Sequence, residues 1–145
     1  MPRIVVGVDG SPESRAALHW AVAEARLRGA ELHAVHVWSV PIVPGREFAP
    51  TLAIPTDELR DEARALVDSL VAEALEGAED VKVTPVVVQG NPAELLVEAG
   101  RGADLLVVGS RGHGGFAGML LGSVSAQCAH HAVSPLVIVR RGVVA

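Results

Sequence analysis

Five short runs rich in valine, isoleucine and leucine recur along the chain with helix-patterned segments between them, and this alternation limits the fold more than any other feature. Residues 3–8, 31–37, 81–88, 103–108 and 135–140 read as strands, and their near-continuous apolar character is that of parallel strands buried on both faces. Strand and helix in strict alternation give an α/β fold with right-handed crossovers and helices on both faces of the sheet. Five strands wound twice from the centre take the order 3-2-1-4-5. The first and fourth strands then lie side by side where the winding reverses, the place at which such sheets bind ligands. Residues 1–145 suit one domain, large enough to bury roughly 70% of the surface its unfolded chain exposes. Only 3% of the residues are aromatic, so Val, Leu, Ile and Ala must fill the core.

The helix signals agree with this register. Ser11 offers an N-cap, Pro12 a first helical position and Glu13 an acid in the first turn, while Arg26, Arg28 and Gly29 close a helix of about 12–28. From Thr56 a second helix carries Leu59, Ala63, Leu66, Val67, Leu70, Val71 and Ala74 on one stripe and stops at Gly77. Pro85 suits an edge strand. Asn91-Pro92-Ala93-Glu94 has the cap, proline and acid of a third helix running to about Gly100, and a fourth spans about 123–129 with Ser123 as its cap. Residues 38–55 hold four prolines and read as a long connection at the carboxyl edge, either a flap over the ligand site or a tolerated insertion.

Six of the fifteen glycines fall between positions 109 and 122, directly after the fourth strand and before the fourth helix. Glycine turns sharply and lets a ligand approach bare backbone. A helix start leaves its first N–H groups unpaired and partly positive. Strand, glycine loop and helix start together make a cradle for an anion. In the proposed strand order Asp9 faces this loop across one crevice.

Several chemistries are excluded or weakened. A Walker loop needs a lysine beside its glycines, and the single lysine, Lys82, lies far off at the third strand. Residues 112–117 match a relaxed dinucleotide fingerprint but follow the fourth strand instead of the first. No Gly-x-Ser-x-Gly elbow occurs. His33 and His36 point to opposite faces of a strand, and Cys128 with His131 lacks a third ligand, so no metal site is expected. A formal charge of -5 without a basic stripe argues against nucleic acid as a partner. One cysteine gives no disulfide framework, and Met1-Pro2-Arg3-Ile4 opens directly into a strand with no leader or membrane-length apolar run. A cytoplasmic protein is the expectation.

The pattern Gly109-x2-Gly112-x9-Gly122-Ser123 resembles the signature of the ATP-binding branch of the universal stress protein family. The likeness extends over the whole chain, because residues 6–11 look like that family's opening strand and turn and residues 134–139 like its closing strand. It implies the five-stranded fold, ATP as ligand, with or without Mg2+, and a homodimer. It also puts Asp9, Gly10 and Ser11 near the ribose and base, with Val37 lining the adenine pocket. Gly109 and Gly112 then let the loop containing Ser110 and Arg111 wrap the phosphates, which Gly122, Ser123, Val124 and Ser125 meet at the fourth helix. Independently, an edge strand over residues 136–140 whose Leu136-Val137-Ile138-Val139 carry no charge invites pairing with a second copy. The function implied is a nucleotide-responsive binding module in the stress response, with no catalytic residue assigned. Two rivals stay open: an enzyme, either a slow ATPase using His113 or a nucleotidyl-transfer catalyst, and a protein-interaction module with no nucleotide bound.

Overall fold

The computed structural model describes residues 1–39, 56–112 and 120–142. The prolines of the long connection, His113 and part of the glycine stretch therefore lie outside the described residues. The elements run β1 (Arg3–Gly7), α1 (Pro12–Arg28), β2 (Glu31–Trp38), α2 (Thr56–Ala74), β3 (Val83–Gln89), α3 (Pro92–Ala99), β4 (Leu105–Gly109), α4 (Ser123–His131) and β5 (Leu136–Val139). The strands form one parallel sheet in the order β3-β2-β1-β4-β5. Register pairs Val6 with Ala34 on one side and with Val107 on the other, so β1 is central. Pro85 sits on an edge strand, where its missing N–H breaks no ladder.

Side-chain alternation divides the core in two. Ile4, Val6 and Val8 pack with Leu18, Ala21 and Val22 of α1 and Val67 and Leu70 of α2. Val5, Val35 and Leu106 turn the other way, onto Leu96 of α3 and Cys128 of α4. Each Val or Leu fully buried here contributes about 1.5–3 kcal/mol. The result is a sheet covered by α1 and α2 on one face and by α3 and α4 on the other.

Local chemistry sets the helix ends. Ser11 caps α1 by accepting from the Ser14 N–H, and Gly29 ends it in the left-handed region at φ 63°. Asn91 caps α3 by accepting from the Glu94 N–H at 3.0 Å. The fourth helix departs from expectation twice. Gly122, not Ser123, is its N-cap, because the backbone turns extended at residue 122 and Ser123 is already helical; and the helix continues past residue 129 to His131. Lys82 also falls just before β3, at the amino end of the sheet. No helix among the described residues is long and apolar enough to cross a membrane.

Candidate functional site

Parallel strands leave all their outgoing loops at one edge, and the connections of β1 and β4 depart from it to opposite faces. Between them lies a cavity of about 600 Å³. One end is apolar, walled by Val35 and Val37 of β2 and by Pro92 and Leu96 of α3. The other is polar, formed by Asp9, Arg111, Gly112 and the first turn of α4 from Gly122 to Ser125.

The β1–α1 turn is held by its own side chains. Gly10 takes φ 83°, which a side chain would resist. Asp9 Oδ1 accepts from the Ser11 N–H at 2.9 Å and from the Ser11 hydroxyl at 2.6 Å, while the Asp9 N–H donates to Ser14 Oγ at 2.9 Å. This is an Asx turn running straight into a helix cap. His36 Nδ1 lies 2.7 Å from the Val8 carbonyl and ties the same turn to β2. A Cβ at residue 112 would fall 2.6 Å from Asp9 Oδ2, so glycine there is what lets the β4 loop lie over that carboxylate.

The β4–α4 connection is pinned at its neck. Ser110 donates its N–H to the Val139 carbonyl at 2.8 Å, and its own carbonyl accepts from the Gly122 N–H and from the Ser125 hydroxyl, each at 2.7 Å. Gly109 has a packing role as well: a Cβ would fall 2.7 Å from the Glu13 carbonyl carbon, so its absence allows the first turn of α1 to rest on the end of β4. That approach carries the Glu13 carboxylate beneath the loop, where Arg111 donates to it at 3.3 Å. At α4 no side chain caps the helix and the first turn holds no acid.

Of the residues singled out from sequence, Asp9, Val37, Gly109, Arg111, Gly112, Gly122, Ser123, Val124 and Ser125 line this one cavity. Gly10, Ser11 and Ser110 do not; they build the frame, and Ser11 and Ser110 are buried. Sequence reasoning missed Gly7, Ser14, Glu13, Pro92 and Leu96. Gly7 and Leu96 belong together, because a Cβ on Gly7 would lie 2.8 Å from Leu96 Cδ1, a contact no linear spacing reveals. Ser14 carried a usable signal, since it sits three residues after the cap Ser11.

The remaining candidates are structural. Cys128 is fully buried, and desolvation pushes its thiol above the usual range, which disfavours the thiolate. His33 pairs with Glu31, and Lys82 lies 4.0 Å from the same carboxylate at the end of the sheet away from the cavity. No group of three or more His, Cys, Asp or Glu among the described residues could hold a metal.

A five-stranded parallel sheet in the order 3-2-1-4-5, covered by helices on both faces and with a cavity at the switch point, defines a doubly wound α/β protein. Within that class the chain belongs to the universal stress protein family, whose model matches residues 1–140. A universal stress protein of Mycolicibacterium smegmatis is 43% identical over 138 residues, covering 94% of this chain and 45% of the relative. The chain thus spans about half the length of the curated relatives it matches. A universal stress protein from Lactobacillus plantarum superposes with a TM-score of 0.78 at 22% identity, over 96% of this chain and 97% of that one. A universal stress protein solved in complex with cAMP gives 0.66 at 29% identity, over 97% and 98%.

Proposed function

We propose that the cavity binds ATP, with or without Mg2+, and that the chain works as a nucleotide-responsive binding module of the stress response in the cytoplasm. The observation that carries this reading is the start of α4, a helix N-terminus without a side-chain cap that opens into a cavity with an apolar far end. Backbone N–H groups and the helix dipole suit phosphate oxygens. Val35, Val37, Pro92 and Leu96 offer an apolar slot for a purine, and Asp9, on the β1–α1 turn at the polar end, is the carboxylate to accept from ribose hydroxyls. A relative solved with cAMP supports an adenine nucleotide as the class of ligand. Each charge-assisted hydrogen bond contributes about 1.5–3 kcal/mol, and a handful offset against the cost of association leaves roughly micromolar affinity.

In this reading residues 1–145 act as one nucleotide-binding domain, and two copies pair along β5, an edge strand of Leu136, Val137, Ile138 and Val139 with no charge to repel a neighbour. Mass spectrometry of the small molecules released from freshly purified protein, followed by calorimetric titration of the emptied protein with ATP, tests the assignment. Adenine nucleotide in the first measurement and saturable ATP binding in the second are the expected results; neither appearing overturns it. Light scattering that gives a monomer removes the dimer.

A further inference from the structure

Among the described residues Glu13 is the one charged side chain that is buried. A carboxylate withdrawn from water is costly unless it is paired, and removing its partner leaves the whole penalty standing. Glu13 is met on two sides. It occupies the partly positive first turn of α1, and Arg111 reaches it from the opposite lip of the cavity at 3.3 Å. The side chain of Glu13 is 6% exposed and that of Arg111 28%, so the carboxylate lies buried behind the cavity lining while Arg111 forms part of that lining.

The pairing decides what the cavity offers an anion. Its described lining carries two charged side chains, Asp9 and Arg111, and the charge of Arg111 is already matched by Glu13 behind it. The three together come to a formal charge of -1. Peptide amides, which bind one phosphate by geometry, are undisturbed by this arithmetic. A second and third phosphate would find no uncompensated cation among the described lining residues.

We propose that Glu13 is a positioning residue that sets ligand specificity: by pairing with Arg111 it cancels the cradle's cation, so the site reads the nucleoside and its first phosphate and is nearly indifferent to the number of phosphates beyond it. This rests on the adenine-nucleotide reading above. At matched affinities the occupant follows abundance, and ATP fills the site wherever it is the major adenine nucleotide.

The test is calorimetric titration of the whole chain with AMP and with ATP in EDTA, for the wild type, Glu13→Gln and Arg111→Gln, at about 50 and about 300 mM KCl. In the wild type the two affinities fall within about threefold of each other and shift little with salt. Glu13→Gln keeps an acceptor for Arg111 but removes the charge. It moves the ratio toward ATP by about tenfold and makes ATP binding salt-sensitive. Arg111→Gln moves the ratio toward AMP. The wild-type measurement stands whether or not either variant folds: a preference for ATP above about thirtyfold overturns the proposal. So does a folded Glu13→Gln with the wild-type ratio. If no adenine nucleotide binds any of the three proteins, the nucleotide assignment itself falls, and a ratio that stays fixed while binding persists removes only the role of Glu13.

Discussion

Two helices begin at the same cavity and meet the same physical need in opposite ways. α1 opens with a serine cap, a proline and an acid, and Ser11 Oγ accepts from the Ser14 N–H. α4 opens with a glycine, no side-chain cap and no acid in its first turn. α3, on the far wall, repeats the α1 solution with Asn91, Pro92 and Glu94. The dipole and the first N–H groups of α1 and α3 are thus answered from within the chain. At α4 even the serine that turns back, Ser125, donates to the carbonyls of Ser110 and Gly122 instead of accepting from an amide. Where a chain withholds its own anion from a helix start that faces a cavity, the start is available to an anion from outside.

The strongest way to break this contrast is to give α4 what α1 has. Gly122→Asp puts a carboxylate at the N-cap, and the backbone there, φ -78° and ψ 172°, accepts a side chain. Nucleotide affinity should fall about 100-fold or more, about 2.7 kcal/mol, measured by calorimetry. Stability should move by no more than about 1 kcal/mol, because the gain of a cap offsets crowding against the Arg111 Cα, 3.1 Å from the new Cβ. Undiminished ATP binding in this variant would show that α4 is not the phosphate site. The reverse change, Ser11→Ala, strips α1 of its cap and Asp9 of its hydroxyl donor. Ser11 is 1% exposed and its bonds to Asp9 Oδ1 and the Ser14 N–H are both lost, so urea denaturation should register a loss of about 2 kcal/mol. A loss below about 0.5 kcal/mol would mean that this turn is held by something other than its cap.

The architecture was legible because it is written locally. Alternating apolar runs gave the parallel sheet and its order, and caps at Ser11 and Asn91 follow from residue type and spacing alone. The glycine pattern likewise led to the cavity, and the strand order set Asp9 across from it. What spacing could not carry is depth. Ser11 and Ser110 sit in the right loops but face inward, where the turn and the neck need their bonds more than a ligand would. Gly109 reads as a loop glycine, yet the backbone that would collide with its Cβ belongs to residues 13 and 14, nearly a hundred positions earlier. The cap of α4 went to Gly122 instead of Ser123 for a related reason. The Gly122 N–H is drawn 2.7 Å from the Ser110 carbonyl, and this tertiary bond sets where the extended backbone ends.

Ser125→Ala sharpens the comparison with the smallest effect. The resemblance to the family's signature put this serine against the phosphates, whereas its hydroxyl donates at 2.7 Å to Ser110 and lies 3.1 Å from the Gly122 carbonyl. Both acceptors keep a second donor when it goes: the Gly122 N–H stays on Ser110, and the Ala126 N–H stays on Gly122 at 3.0 Å. Nothing buried is orphaned, so stability should drop by less than about 1 kcal/mol and nucleotide affinity should hold within about threefold. A cradle made of serine hydroxyls would respond in the opposite order, losing about tenfold in affinity with Ser125→Ala and little with Gly122→Asp. The ranking of these two variants in one titration series therefore separates recognition by backbone amides from recognition by side chains, whichever adenine nucleotide is titrated.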